Sequence, residues 1–154
     1  MIGKMSEEEL DAVLETFPVE FSILNKEDKV LAWNKHETRI FKRPVGAIGR
    51  DVRNCHPQKS IAKVEQIISE MKAGKRDKAE FWIDLPIGVK SEKHKILIRY
   101  FALRNKDGKY LGCLEVSQDI HDIQKIKGEK RLLDWEDYYE FRWFWSWGAV
   151  TSCD

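Results

Sequence analysis

The stretch that decides the fold is IRYFALRNKDGKYLGCLEVSQDI, residues 98–120. Two runs rich in β-branched and aromatic residues, at 95–104 and 110–120, flank Lys106-Asp107-Gly108-Lys109, and that composition predicts a hairpin. Immediately upstream, AEFWIDL at 79–85 is a third segment of the same character. The second half of the chain therefore reads as antiparallel β. On strand alternation, Cys113, Glu115 and Ser117 share one face, while Leu114 and Val116 take the other. A carboxylate on a central strand needs solvent, a partner or a function, and Arg99 on the preceding strand is the expected cross-strand partner of Glu115. Tyr100, with Trp82 and Phe101, is expected in the core or at an interface.

Further out, SEEEL predicts a capped helix over 6–17: Ser6 and Glu9 form a capping box, and Leu10, Val13, Leu14 and Phe17 give an apolar stripe before Pro18. Runs at 19–24 and 30–33 flank the polar turn Asn25-Lys26-Glu27-Asp28-Lys29, a second hairpin. KHETRIF reads as a short helical piece and KRPVGAIG as a loop. After Pro57, the spacing of Ile61, Val64, Ile67, Ile68 and Met71 predicts an amphipathic helix ending at Gly74. Helical patterning returns over 123–134. Beyond it, WEDYYEFRWFWSW at 135–147 carries eight aromatics in thirteen residues, which sets it apart from a domain core.

Composition narrows the class. The 154 residues carry 27 Lys plus Arg against 26 Asp plus Glu, a net charge of +1 that offers no general attraction to nucleic acid or an anionic membrane. No apolar run reaches the roughly 18 residues of a transmembrane helix, and the start lacks a secretory signal, so a cytoplasmic location is expected. Cys55, Cys113 and Cys153 are too few and too scattered for a disulfide framework.

The order strand, strand, short helices, long helix, three strands, closing in SQDIHDI, resembles the Per-Arnt-Sim (PAS) family. Asp119-Ile120 matches the Asp-Ile-Thr-like close of many members, with His121 where threonine is more usual. IGRDVRNCHPQKS (48–60), AEFWI, residues 98–120 and GEKRLL are similar to the PAS domain at the C-terminal end of hemerythrin-containing bacterial and archaeal proteins of unknown function. The resemblance implies an α+β fold: a five-stranded antiparallel sheet with helices packed on one face. It implies residues 19–122 as the core, with 1–18 as an N-terminal helix and 123–134 as an outgoing signalling helix, and it stops before 135–154, the aromatic-rich tail. It further implies a sensory or interaction module, without enzymatic output, that binds an unidentified small molecule or a partner and transmits through its terminal helices, as a homodimer. The tail reads equally as a protein-partner or dimer surface and as a segment that is no native part of this family's domain. The four histidines (36, 56, 94 and 121) form no di-iron set, and no metal ligands are assigned; His36, His94 and His121 are expected at the surface.

Residues near the expected cavity are Cys55, His56, Arg99, Tyr100, Cys113 and Glu115. The structural reading of Asn54-Cys55-His56-Pro57 is a helix entry, with Asn54 or His56 satisfying free amides and Cys55 packed in the core. Haem bound through His56 is the alternative, although haem-binding relatives usually carry their histidine on the long helix, where residues 59–71 have none. Flavin is disfavoured: GRDVRNC is similar to a light-oxygen-voltage motif, but Val52 takes the place of its cysteine and Ser117 that of its glutamine. A nucleophilic Cys55 is also disfavoured, because adjacent Cys and His side chains generally diverge.

Overall fold

The computed structural model describes residues 3–34, 39–88 and 91–132. Its elements are α1 (Glu7–Thr16), β1 (Glu20–Asn25), β2 (Val30–Trp33), 3₁₀ turns at Val45–Ala47 and Val52–Cys55, α2 (Gln58–Lys72), β3 (Lys78–Ile87), β4 (Glu92–Arg104), β5 (Tyr110–Asp119) and a 3₁₀ turn at Ile123–Lys125. The strands form one antiparallel sheet in the order β2-β1-β5-β4-β3. The last strand in sequence thus lies at the centre, bonded to β1 on one side and β4 on the other.

The two hairpin turns explain how the strands meet. Asn25 Oδ1 accepts from the Glu27 and Lys29 amides, both at 3.0 Å, and Asn105 Oδ1 accepts from the Asp107 and Lys109 amides at 3.1 and 2.8 Å. Each asparagine folds its own turn by mimicking a backbone acceptor. Both hairpins then carry a β-bulge. The pairs Leu24↔Val30 and Ile23↔Ala32 leave Leu31 as the extra residue, and Arg104↔Tyr110 and Leu103↔Gly112 leave Leu111. Leu31 and Leu111 are both exposed.

The sheet has two unlike faces. Its inner face and α2 enclose the main core, in which Val64, Ile68 and Met71 of the helix meet Leu24, Ile96, Ile98, Tyr100 and Cys113. Full burial of such an aliphatic side chain contributes about 1.5–3 kcal/mol. The outer face is apolar at its centre. There Phe21, Ile23, Leu103, Leu114 and Val116 line a cavity of about 270 Å³ with Leu14 and Phe17 from the α1 end of the chain. The helices therefore do not all share one face: α2 covers the inner side, and α1 adjoins the outer one. Helix α1 begins as expected, with the Ser6 hydroxyl accepting from Glu9 N and the Glu9 carboxylate accepting from Ser6 N.

Three expectations are corrected. Neither Asn54 nor His56 caps α2: Pro57 holds the cap position without a side-chain bond, and it is Asp51 that caps the preceding 3₁₀ turn by accepting from Arg53 N at 2.9 Å. The loop expected at 42–49 contains a 3₁₀ turn. The outgoing segment, expected helical over 123–134, forms among its described residues, 123–132, only the turn at Ile123–Lys125. The first of two compact units is Met1–Gln124. In the second unit, Lys125–Asp154, the described residues form no further helix, and Gly128 adopts φ +68°, a conformation that interrupts helical propagation. Most of the piece expected to be helical at 35–41, together with His36, Cys153 and the aromatic tail, lies outside the described residues.

Candidate functional site

The inner face of β1 is polar where a core strand would ordinarily be apolar. Glu20 and Ser22 point inward and are almost fully buried, alternating with Phe21 and Ile23 on the outer side. Buried polar groups must be satisfied locally, and the partners come from the segment after β2. Glu20 accepts from the backbone amides of Ile40 and of Phe41, the latter at 3.3 Å. Arg39 donates to Asn34 O at 2.5 Å, Asn34 Oδ1 at 3.1 Å and Ser22 Oγ at 3.4 Å. Asn34 in turn accepts from Phe21 N and donates to Val19 O, fixing the end of β2 against β1. Burial holds the Arg39 guanidinium below its ordinary pKa, with Glu20 opposing that shift.

Arg43 extends the cluster to the sheet centre. Its Nη2 lies 3.2 Å from Glu115 Oε2 and its Nε 3.4 Å from Ser22 Oγ, with both charged side chains mostly buried. The cross-strand neighbours of Glu115 are Ser22 and Tyr100. Arg99 is not its partner. The extra residue Leu111 shifts the β4–β5 register by one, so Arg99 stands opposite Val116 on the outer face, where its Nη2 donates to Gln118 Oε1 at 3.2 Å.

His56 closes the cluster from the helix entry. Its Nδ1 lies 3.0 Å from the Val52 carbonyl, which can only accept, so Nδ1 carries the proton; Nε2 then accepts from the Tyr100 hydroxyl at 3.3 Å. Burial, followed by the nearby Glu115 charge, pushes the Tyr100 pKa well above its ordinary value, so the residue remains a phenol donor. Cys113 is fully buried beside Met71, and burial raises its thiol to about 12. Cys55 is half-buried, with its thiol directed to Asp51 O at 3.6 Å.

The structure thus gathers His56, Tyr100 and Glu115 into one constellation, sets Cys113 beside it in the core, directs the Cys55 thiol to the Asp51 carbonyl and leaves Arg99 on the opposite face. Both ring nitrogens of His56 are engaged, so iron at Nε2 would have to displace the Tyr100 hydroxyl. Sequence reading missed Glu20, Ser22, Arg39 and Arg43. The signal for the first two was available: in VEFSIL the residues that alternate with Phe21 and Ile23 are polar. No comparable signal marks the two arginines, which reach the site from an irregular segment.

A second grouping lies at the far edge of the inner face. His94 and His121 were expected at the surface, yet each is half-buried, and their rings stack at 4.4 Å. Glu92 lies beside them. Among the described residues no helix is long and apolar enough to cross a membrane.

A family model for the PAS domain matches residues 10–121. The C-terminal domain of a protein from Streptococcus mutans is similar at 28% identity and a TM-score of 0.72, over 82% of this chain and 94% of that one. The PAS domain of a protein from Colwellia psychrerythraea shares the fold at 14% identity and a TM-score of 0.55, over 75% and 97% of the two chains. VqmA of Vibrio cholerae, in a structure bound to DPO, matches at 18% identity and a TM-score of 0.55, over 84% of this chain and 66% of that one. No curated protein sequence matches the chain.

Proposed function

The chain belongs to the PAS domain family, and on that premise we propose that it is a sensory or interaction module whose buried polar cluster takes a small ligand. The observation that carries this reading is the pairing of Arg43 with Glu115 and Ser22 in the interior. A buried ion pair is a poor source of stability compared with apolar packing of the same volume. Its guanidinium is, however, well suited to recognise a carboxylate or carbonyl that displaces Glu115, with Tyr100 as a second donor. VqmA, which shares the fold, is bound to DPO, and this supports a ligand-binding reading of the scaffold.

Transmission would run through α1, which exposes Leu10, Val13 and Phe17 along one stripe. That stripe supports a homodimer, and the aromatic tail is a further partner surface. Likeness to PAS domains at the C-terminal end of hemerythrin-containing proteins supports a module that works beside other domains. We assign no catalytic step, since Cys55 and His56 direct their side chains to different partners.

A thermal-shift screen of small carboxylates and carbonyl compounds tests the site. Ligands that raise the melting temperature of the wild type, lose that effect in Arg43→Ala and keep or strengthen it in Glu115→Gln, where the competing carboxylate is gone, support it. Ligands that stabilise all three proteins equally place binding elsewhere.

A further inference from the structure

Glu92, His94 and His121 each present one ligand atom within 4.8 Å of the others. His94 and Glu92 stand at the start of β4, and His121 follows the end of β5 by two residues. The antiparallel pairing of these strands brings the two sequence-distant ends together: Ile96 is opposite Asp119, and Ile120 N donates to Lys95 O at 2.9 Å.

We propose that Glu92, His94 and His121 form a binding site for a divalent transition metal of the zinc class, with Asp119 as its positioning residue. Asp119 engages both histidines. Its Oδ2 lies 2.5 Å from His94 Nδ1, and its Oδ1 accepts from the His121 amide at 2.9 Å. A carboxylate can only accept, so His94 Nδ1 is the donor and Nε2 carries the free lone pair. An imidazole whose other nitrogen is held by a carboxylate is the usual arrangement of a metal-bound histidine. His121 Nε2 stands 3.5 Å from Glu92 Oε1, an approach rather than a hydrogen bond, and a cation between the two would convert it into shared coordination.

The donor set selects the ion. Two imidazoles and one carboxylate suit zinc and its neighbours, whereas calcium and magnesium require mostly oxygen. Tetrahedral ligands on bonds of about 2.0–2.1 Å stand roughly 3.4 Å apart, so the present spacing must contract on binding. Glu92, whose side chain is 64% exposed, is free to make that movement, and a turn of the His121 ring completes it. Three protein ligands leave a fourth position for water or an exogenous donor.

The test is titration of the untagged full chain with Zn²⁺, and with Co²⁺ as a spectroscopic probe. One ion per chain and a visible Co²⁺ band of tetrahedral character are expected. His94→Ala and His121→Ala should each abolish the band. Glu92→Gln, an exposed change that leaves the fold intact, should weaken binding at least tenfold, and Asp119→Asn should weaken it by about 10–100-fold while keeping the band. Cys55→Ser and His56→Ala should bind as the wild type does. Absence of a tetrahedral Co²⁺ band in the wild type, or unchanged affinity in Glu92→Gln and in the His94/His121 double variant with folding verified by circular dichroism, would overturn the proposal.

Discussion

The hairpins NKEDKVLA (25–32) and NKDGKYLG (105–112) share one design and differ at four positions, of which the fourth and the eighth set their backbones apart. In each, an asparagine side chain folds the turn, the fourth residue adopts the left-handed conformation, and a leucine is extruded as a bulge. At the left-handed position the second hairpin has Gly108 at φ +79°, and the first has Asp28 at φ +65°. Glycine adopts that conformation freely, whereas aspartate does so at a cost. The cost is offset because Asp28 is a buried joint. Its carboxylate meets Lys72 at 2.6 Å and Arg53 at 3.2 Å, and its backbone oxygen accepts from Val52 N, so the first turn fixes the 3₁₀ segment that leads to His56. No such docking segment rests on the second turn among the described residues.

The other difference, Ala32 against Gly112, follows from place in the sheet. Strand β2 is at the edge, so the residue after its bulge has a neighbour on one side only. Gly112 lies on the central strand, opposite Asn25 and Leu103, and a Cβ there would stand 2.0 Å from the Leu24 carbonyl oxygen. Equivalent turns thus tolerate different residues because their surroundings differ, not their local geometry.

Substitutions can break this comparison. Gly112→Ala is expected to have the largest effect, a loss of roughly 3 kcal/mol or more in denaturant unfolding, because backbone rather than a pliable side chain must move; the same test at Ala32, by Ala32→Ser, should cost far less. Asp28→Ala should cost about 2 kcal/mol and loosen the His56 segment, seen as faster amide exchange at Val52. Asp28→Gly relieves the left-handed cost and should recover part of that loss, which separates the conformational contribution from the ionic one. Gly108→Ala should cost about 1 kcal/mol, and Gly108→Asp less, since aspartate visits that region more readily. The smallest effect concerns Asp51, which forms an isolated backbone bridge with Lys29 of the first turn. The backbone amide of Arg53 holds its carboxyl below the ordinary aspartate pKa. The stability it contributes is therefore present above that ordinary value and is lost as pH falls through the lower, folded one. Asp51→Asn should flatten the acid limb of a stability profile, and an unaltered limb would remove Asp51 from the account.

The strands, both helices and the two hairpins were legible because turn chemistry and side-chain period are local properties. The site was legible in half. His56, Tyr100 and Glu115 sit on regular elements or at a helix entry, where spacing carries information. Arg39 and Arg43 come from a segment without periodicity, so only long-range packing reveals them. The mistaken Arg99–Glu115 pair has a narrower cause. Continued from Arg104↔Tyr110 without interruption, the register would have set those residues opposite each other; the extruded Leu111 moves the count by one. The His94–His121 pair was missed for the reason that hides most clusters in a sequence: its members are distant along the chain and adjacent only through pairing of β4 and β5.

The extruded leucine at position 111 also acts as a phase setter for everything downstream of it. Were it drawn into the ladder opposite Leu103 instead, residues 112–119 would move one position along β4 and each would turn to the other face of the sheet. Glu115 would then abandon Arg43, and Asp119 would release His94, so a single surface residue synchronises two distant groups of polar side chains along one rod of backbone.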